Sequence, residues 1–214
     1  VNPSGKLTDT WAKNYSDYPS SEGFSHNDGN IDDEYYTEGI YVGYRYFDTF
    51  GVEPLYCFGY GRSYTDFDIK TDAVKVNGAD IEVEVTVTNT GDTYAGKEVV
   101  QVYYSAPAGN MAKPYQELAA FAKTKILAPG ESQSLTISYP AKNMASYCEK
   151  CASWIMTPGS YIIRVGNSSR NTVAVAKVVL NELVKTEILK NTFADTDAVK
   201  EIEAPEVKAE AYEG

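Results

Sequence analysis

Histidine is nearly missing from this sequence, whose 214 residues carry one, His26, and only three cysteines, Cys57, Cys148 and Cys151. Three thiols cannot all pair within one chain and are too few for a disulfide-stapled scaffold, so packing must hold the fold. Basic residues are also short: 19 Lys and Arg stand against 30 Asp and Glu, a formal net charge of -11. Such a surplus repels phosphate backbones and anionic head groups, which argues against nucleic-acid and membrane-surface partners. No stretch approaches the roughly 18 consecutive apolar residues of a bilayer span. The opening, Val1-Asn2-Pro3-Ser4-Gly5, has neither the basic residues nor the apolar region of a signal peptide. A soluble chain is expected, cytoplasmic or secreted, with a start that looks internal to something longer.

What is abundant is apolar and aromatic: 43% of residues are hydrophobic, 13% aromatic, and 18 are tyrosine. That is enough for a substantial core and excludes a wholly disordered chain. The distribution is uneven. Residues 1–68 hold 4 basic and 12 acidic groups and ten of the tyrosines, residues 69–180 hold 11 and 9, and residues 181–214 hold 4 and 9. The first of these is punctuated by Gly, Ser, Asn and Pro, as in Pro19-Ser20-Ser21-Glu22-Gly23 and Asn27-Asp28-Gly29-Asn30, and reads as long loops that need a partner surface.

In the middle segment, period-2 alternation recurs at strand length. From Asp80 to Thr88 the odd positions Ile81, Val83, Val85 and Val87 are apolar and the even ones polar, placing one face in a core. Asn89-Thr90-Gly91-Asp92 closes that strand. Further runs lie at 98–104, 118–126, 134–139, 161–166 and 172–179, with Ala128-Pro129-Gly130-Glu131 and Thr157-Pro158-Gly159 as turns. About seven short antiparallel strands in about 110 residues predict a β-sandwich, and without the immunoglobulin Cys-Trp-Cys spacing a fibronectin-type relative is favoured. The last segment predicts a short helix over 181–189, then an acidic linker or tail through Asp195-Thr196-Asp197 and Glu201-Ile202-Glu203-Ala204-Pro205-Glu206.

Candidate chemistry is thin. His26 would have to anchor any Ser/His/Asp site, but no Gly-x-Ser-x-Gly elbow exists, and it reads as a solvated loop histidine. Gly59-Tyr60-Gly61-Arg62-Ser63 opens like a dinucleotide loop, yet Tyr64 stands where the third glycine belongs, so a turn is expected. Asp32, Asp33, Glu34 and Glu38 are the kind of carboxylate cluster that glycoside hydrolysis uses, but adjacent acids in a loop more often form a solvated patch or a cap. Cys148 and Cys151 have the spacing of half a zinc site without a second ligand pair, and free or transiently oxidised thiols in a surface loop are expected. Arg45, inside Tyr41-Val42-Gly43-Tyr44-Arg45-Tyr46-Phe47-Asp48, could stack on rings or pair with Asp48. Aromatics at this density suit a sugar-binding surface or a domain interface, and their interleaving with Val and Ile favours the interface.

Residues 38–67, EGIYVGYRYFDTFGVEPLYCFGYGRSYTDF, resemble a characteristic stretch of glycoside hydrolase family 3, the β-glucosidases and β-xylosidases. The opening VNPSGKLTDTW is similar to that family's segment near the end of its α/β sandwich domain. NTGDTYAGKEVVQVYY (residues 89–104), KPYQELAAFAKTKILAPGES and PGSYIIRVGNSS are similar to the fibronectin type III-like domain that follows it. The departures are Cys57 where proline is usual and Arg62 where leucine is usual.

The resemblance implies a mainly β fold: residues 1–68 as the closing part of an α/β sandwich domain and connector, 69–180 as a fibronectin type III-like β-sandwich, and 181–214 as an acidic linker or tail. It further implies a non-catalytic part of a β-glucosidase that hydrolyses terminal β-D-glucosides. The family's nucleophilic aspartate lies in a (β/α)8 barrel and its acid/base glutamate in the α/β sandwich upstream. Neither stretch is here, so no catalytic residue is carried over, Glu38 is not promoted to fill the gap, and no substrate-binding residue is assigned. The implied partners are the barrel and the rest of the sandwich domain, and no metal or organic cofactor is implied. The long tail after Leu180 favours the permuted order known in some members, with the barrel following, over a C-terminal extension of an enzyme in the ordinary order, with the barrel preceding. A stand-alone carbohydrate-binding or adhesion module is the alternative.

Overall fold

The structure, a computed structural model, describes residues 1–192, 200–205 and 212. Phe193, Asp195, Thr196, Asp197 and Glu206 of the tail fall outside the described residues. Ten strands are formed: β1 (Phe67–Asn77), β2 (Asp80–Asn89), β3 (Val99–Ser105), β4 (Glu117–Lys123), β5 (Ser132–Pro140), β6 (Ser146–Cys148), β7 (Ser153–Met156), β8 (Gly159–Ser168), β9 (Asn171–Leu180) and β10 (Val184–Ile188). One α-helix, α1 (Tyr44–Thr49), lies in the first segment. Sheet β1-β2-β5 faces sheet β4-β3-β8-β9, every pairing is antiparallel, and a small sheet, β10-β7-β6, is set beside them.

The alternation read along β2 is the core. Ile81, Val83, Val85 and Val87 are each 0% exposed and meet Val100, Val102, Tyr161, Ile163 and Val165 from the opposite sheet. Each such side chain contributes about 1.5–3 kcal/mol by leaving water. In β1 the inward residues are Phe67 and Ile69 but then Val74, because a bulge between Thr71 and Ala73 shifts the register. Asn89, read as a turn residue, is fully buried and fully used: it accepts from Thr65 Oγ1 at 2.6 Å and from Gly91 N, and donates to the carbonyls of Tyr94 and Leu127.

Two expectations are corrected. Residues 181–189 are not a helix. The β-branched residues Val184, Thr186 and Ile188 form a strand that pairs with the edge of β7, Val184 opposite Met156 and Ile188 opposite Ser153. Cys148 and Cys151, expected as free or transiently oxidised thiols, stand in the structure as a disulfide that the β6–β7 hairpin brings together. Among the described residues no helix is long and apolar enough to cross a membrane.

β3 and β8 depart from simple alternation. Their inward residues are apolar, but Gln101 (3% exposed), Tyr103 (0%), Ser105 and Arg164 (2%), which point the other way, are buried too. Central strands covered on both faces require a second layer. That layer is the first segment.

Candidate functional site

The seam between residues 1–64 and the outer face of β3 and β8 concentrates the polar chemistry of the molecule. Residues 7–11 run beside residues 55–60, with Leu7 N donating to Tyr60 O and Gly59 N to Leu7 O, both at 2.8 Å, and Trp11 N to Tyr56 O at 2.8 Å. Gly59 has φ +78, a left-handed conformation that suits glycine in this turn. It approaches the sheet so closely that Gln101 Nε2 reaches Gly59 O and Asn167 O, while Tyr103 donates its hydroxyl to Gln101 Oε1 at 2.6 Å.

Helix α1 starts after Gly43 (φ 59), a conformation that suits glycine, lays Tyr44 against the sheet and buries Phe47 against Tyr18 and Tyr46. Tyr44 stacks on Phe58 at 4.7 Å and meets Tyr103 edge-on, while its hydroxyl accepts from Leu118 N. Thr49 Oγ1 accepts from Tyr115 N. Asp48 accepts from Gln116 Nε2 at 3.0 Å and sits 2.7 Å from Arg170 Nε. Arg170 also donates through Nη2 to the carbonyls of Phe47 and Val52, closing the end of the helix with a cation. Burial pushes the Asp48 carboxyl up to about 6, against the downward pulls of the Gln116 hydrogen bond and the Arg170 charge. Burial likewise raises the phenols of Tyr103, Tyr104 and Tyr44.

The structure scatters the residues singled out in the sequence. His26 Nδ1 lies 2.7 Å from Asn30 O and 3.9 Å from Glu34 Oε2, in an exposed loop. The backbone amides of Asp32 and Asp33 donate to Asn30 Oδ1, so the side chain that closes this turn is Asn30. Arg45 does not pair with Asp48; at 3.4 Å it faces Glu117, which also accepts from Tyr104. Glu38 lines a groove of about 620 Å³ with Trp11, Tyr18 and Arg45. Among the described residues no group of three or more His, Cys, Asp or Glu is placed to hold a metal ion.

Gln101, Gln116 and Arg170 escaped the sequence reading. Gln101 alone carried a signal, as a polar residue inside the apolar run Val99-Val100-Gln101-Val102-Tyr103. Gln116 and Arg170 sit among turn-like residues, and their partners are 68 and 122 positions away.

Residues 98–169, which include the sheet side of this seam, match the fibronectin type III-like domain. The whole chain then matches relatives across both layers. Beta-glucosidase A of Butyrivibrio fibrisolvens is 43% identical over 91% of this chain and 27% of its own length. Over nearly its whole length the chain is similar to part of the glycoside hydrolase family 3 β-glucosidases. An exo-alpha-(1->6)-L-arabinopyranosidase of Bifidobacterium breve is 39% identical over 92% of this chain and 26% of its own. The crystal structure of a beta-glucosidase from Paenibacillus barengoltzii superposes with a TM-score of 0.84 at 42% identity, covering 99% of this chain and 25% of that one. The chain therefore spans about a quarter of the length of the family 3 relatives it matches, and the match runs through the first segment as well as the sandwich.

Proposed function

We propose that this chain is the non-catalytic part of a family 3 β-glucosidase, with residues 1–68 as connector, 69–180 as the fibronectin type III-like domain and 181–214 as a linker or tail. Its role is to pack against the (β/α)8 barrel and the rest of the α/β sandwich domain and to steady their arrangement, while those domains hydrolyse terminal β-D-glucosides. One observation carries this: the connector is locked onto the sheet on its inner side, yet its outer side leaves Trp11 (53% exposed), Tyr36 (78%), Ile40, Val42 and Leu55 open. A layer with one satisfied face and one exposed aromatic face is what a cut domain interface leaves behind. The sequence coverage of about a quarter of each relative supports the same assignment.

A retaining glycosidase needs two carboxyl groups about 5 Å apart across the scissile bond. In the first segment the carboxylates of Asp17 and Asp28 instead accept turn amides, from Asn14 N and Asn30 N, and that of Asp48 is paired with Arg170. The 214-residue chain incubated with an aryl β-glucoside is expected to release no aglycone. Turnover that Glu38→Gln or Asp33→Asn abolishes would overturn the assignment.

A second function, a free-standing carbohydrate-binding module, is favoured by the shallow groove where Trp11 and Tyr56 meet at 6.4 Å and Tyr56 and Tyr60 at 5.2 Å. Retention of the chain by an insoluble β-glucan, lost in Trp11→Ala, would establish it.

A further inference from the structure

The disulfide between Cys148 and Cys151 lies outside the seam and has no part in the role proposed above. It closes a one-turn loop, Glu149–Cys151, at the tip of the β6–β7 hairpin. Cys151 is exposed to solvent while Cys148 is half-buried. The closed loop holds Ala152 at φ 42, ψ 48, a left-handed conformation that a residue with a Cβ rarely adopts.

In that conformation Ala152 O accepts from Leu189 N at 2.7 Å, at the end of β10. The same loop supplies Glu149 O as acceptor for Asn191 Nδ2 at 2.7 Å, and Tyr147 donates its hydroxyl to Asn191 Oδ1 at 2.5 Å. Three contacts therefore anchor residues 189–191 to the disulfide-bearing hairpin. β10 itself is a five-residue edge strand, mostly exposed, and its pairing with β7 is interrupted between Lys185 and Glu187. Few apolar contacts hold it, so the anchor governs how firmly it stays down.

We propose that Cys148–Cys151 is a thiol–disulfide exchange site for dithiol reductants, and that its redox state latches or releases β10 and residues 189–191. The geometry favours one direction of attack. An incoming thiolate reaches the exposed Cys151 Sγ, forming a mixed disulfide there and breaking the bond to Cys148. The electron pair departs on Cys148 Sγ, which already accepts a hydrogen bond from Cys151 N at 3.3 Å, a contact that stabilises the leaving thiolate. The second thiol of the reductant then attacks its own sulfur in the mixed disulfide and expels the Cys151 thiolate. The two protons given up by the dithiol end on the two cysteines; the protein disulfide is reduced by two electrons and the dithiol is oxidised to its cyclic disulfide. With the ring open, nothing covalent keeps Ala152 left-handed. It relaxes toward an ordinary conformation, and its carbonyl turns away from Leu189 N.

The latch is read by hydrogen exchange on the full chain, oxidised and after treatment with dithiothreitol, with alkylation and mass spectrometry to count thiols. Under native conditions two thiols should appear at Cys148 and Cys151 while buried Cys57 stays unmodified. Exchange at Leu189 and along β10 should then rise about tenfold, the scale of one residue's backbone strain. Protection along β2 should not change, and reoxidation should restore the original rates. Cys148→Ser/Cys151→Ser should show the fast rates with no response to dithiothreitol. Ala152→Gly should lose less protection on reduction than the parent chain, because glycine enters the left-handed conformation without the penalty of a Cβ. Full reduction with unchanged exchange at Leu189 and β10, failure of the native protein to react, or an equal loss of protection along β2 would each overturn the proposal.

Discussion

Asp48 Oδ1 lies 2.7 Å from Arg170 Nε, and this pair joins the only α-helix among the described residues to the β8–β9 turn, 122 residues later in the chain. Arg170 is about a third exposed and Asp48 4% exposed, so the carboxylate bears most of the desolvation. The pair, with Gln116 on the other carboxylate oxygen, decides how α1 sits on the sandwich.

Removing Arg170 leaves a buried carboxylate without its cation and two carbonyls, Phe47 O and Val52 O, without their donor. Arg170→Met is expected to cost about 2–4 kcal/mol in urea unfolding. Hydrogen exchange at residues 44–52 should speed up more than exchange along β2.

The Asp48 carboxyl is raised from 3.8 to about 6 by burial. The folded protein therefore binds a proton more tightly than the unfolded chain, and the contribution of this group to stability is full below about pH 4 and is lost as pH rises through about 6. Asp48→Asn cannot ionise. The stability of the wild type relative to Asp48→Asn should fall by on the order of 2–3 kcal/mol between pH 4 and 7. A flat or rising difference would show that Arg170 outweighs burial at this site.

Gly59 combines φ +78 with an approach that would put a Cβ 2.3 Å from Gln101 Oε1, the acceptor of the Tyr103 hydroxyl. Gly59→Ala should cost about 2 kcal/mol or more, through backbone strain and a displaced Gln101. Gly29 has φ +82 but open space around it, so Gly29→Ala should cost only about 1 kcal/mol. Thermal melts of the two variants separate close approach from backbone conformation alone.

Val85 is 0% exposed in the middle of β2, opposite Thr71 and Leu135. Val85→Asp places a charge with no partner in the core and should cost several kcal/mol, at least about 3. An unchanged thermal midpoint would mean that the side chain at 85 does not face the core.

The first segment shows why a sequence pattern can be complete and still misplace contacts. Arg45 and Asp48 are three apart on a helix and were natural partners by spacing, but the sheet offers Glu117 to one and Arg170 to the other. The 181–189 stretch failed for a related reason. Its composition allows either a helix or a strand, and the free edge of β7 decides for the strand.

By itself the sequence determined the sandwich, because the period-2 burial of Ile81, Val83, Val85 and Val87 depends only on residues next to one another along one strand. It also determined the family resemblance, which rests on contiguous segments such as residues 38–67. Tertiary structure alone decided what covers the outer face of β3 and β8, which acid Arg170 meets, and that the local ring closed by Cys148 and Cys151 lies against the end of β10. Those outcomes depend on groups that chain topology brings together from up to 122 residues apart, or on which edges remain unpaired once the sheets have formed. Local spacing carries no information about either, since hydrogen-bond and charge partners are chosen by proximity in the folded state.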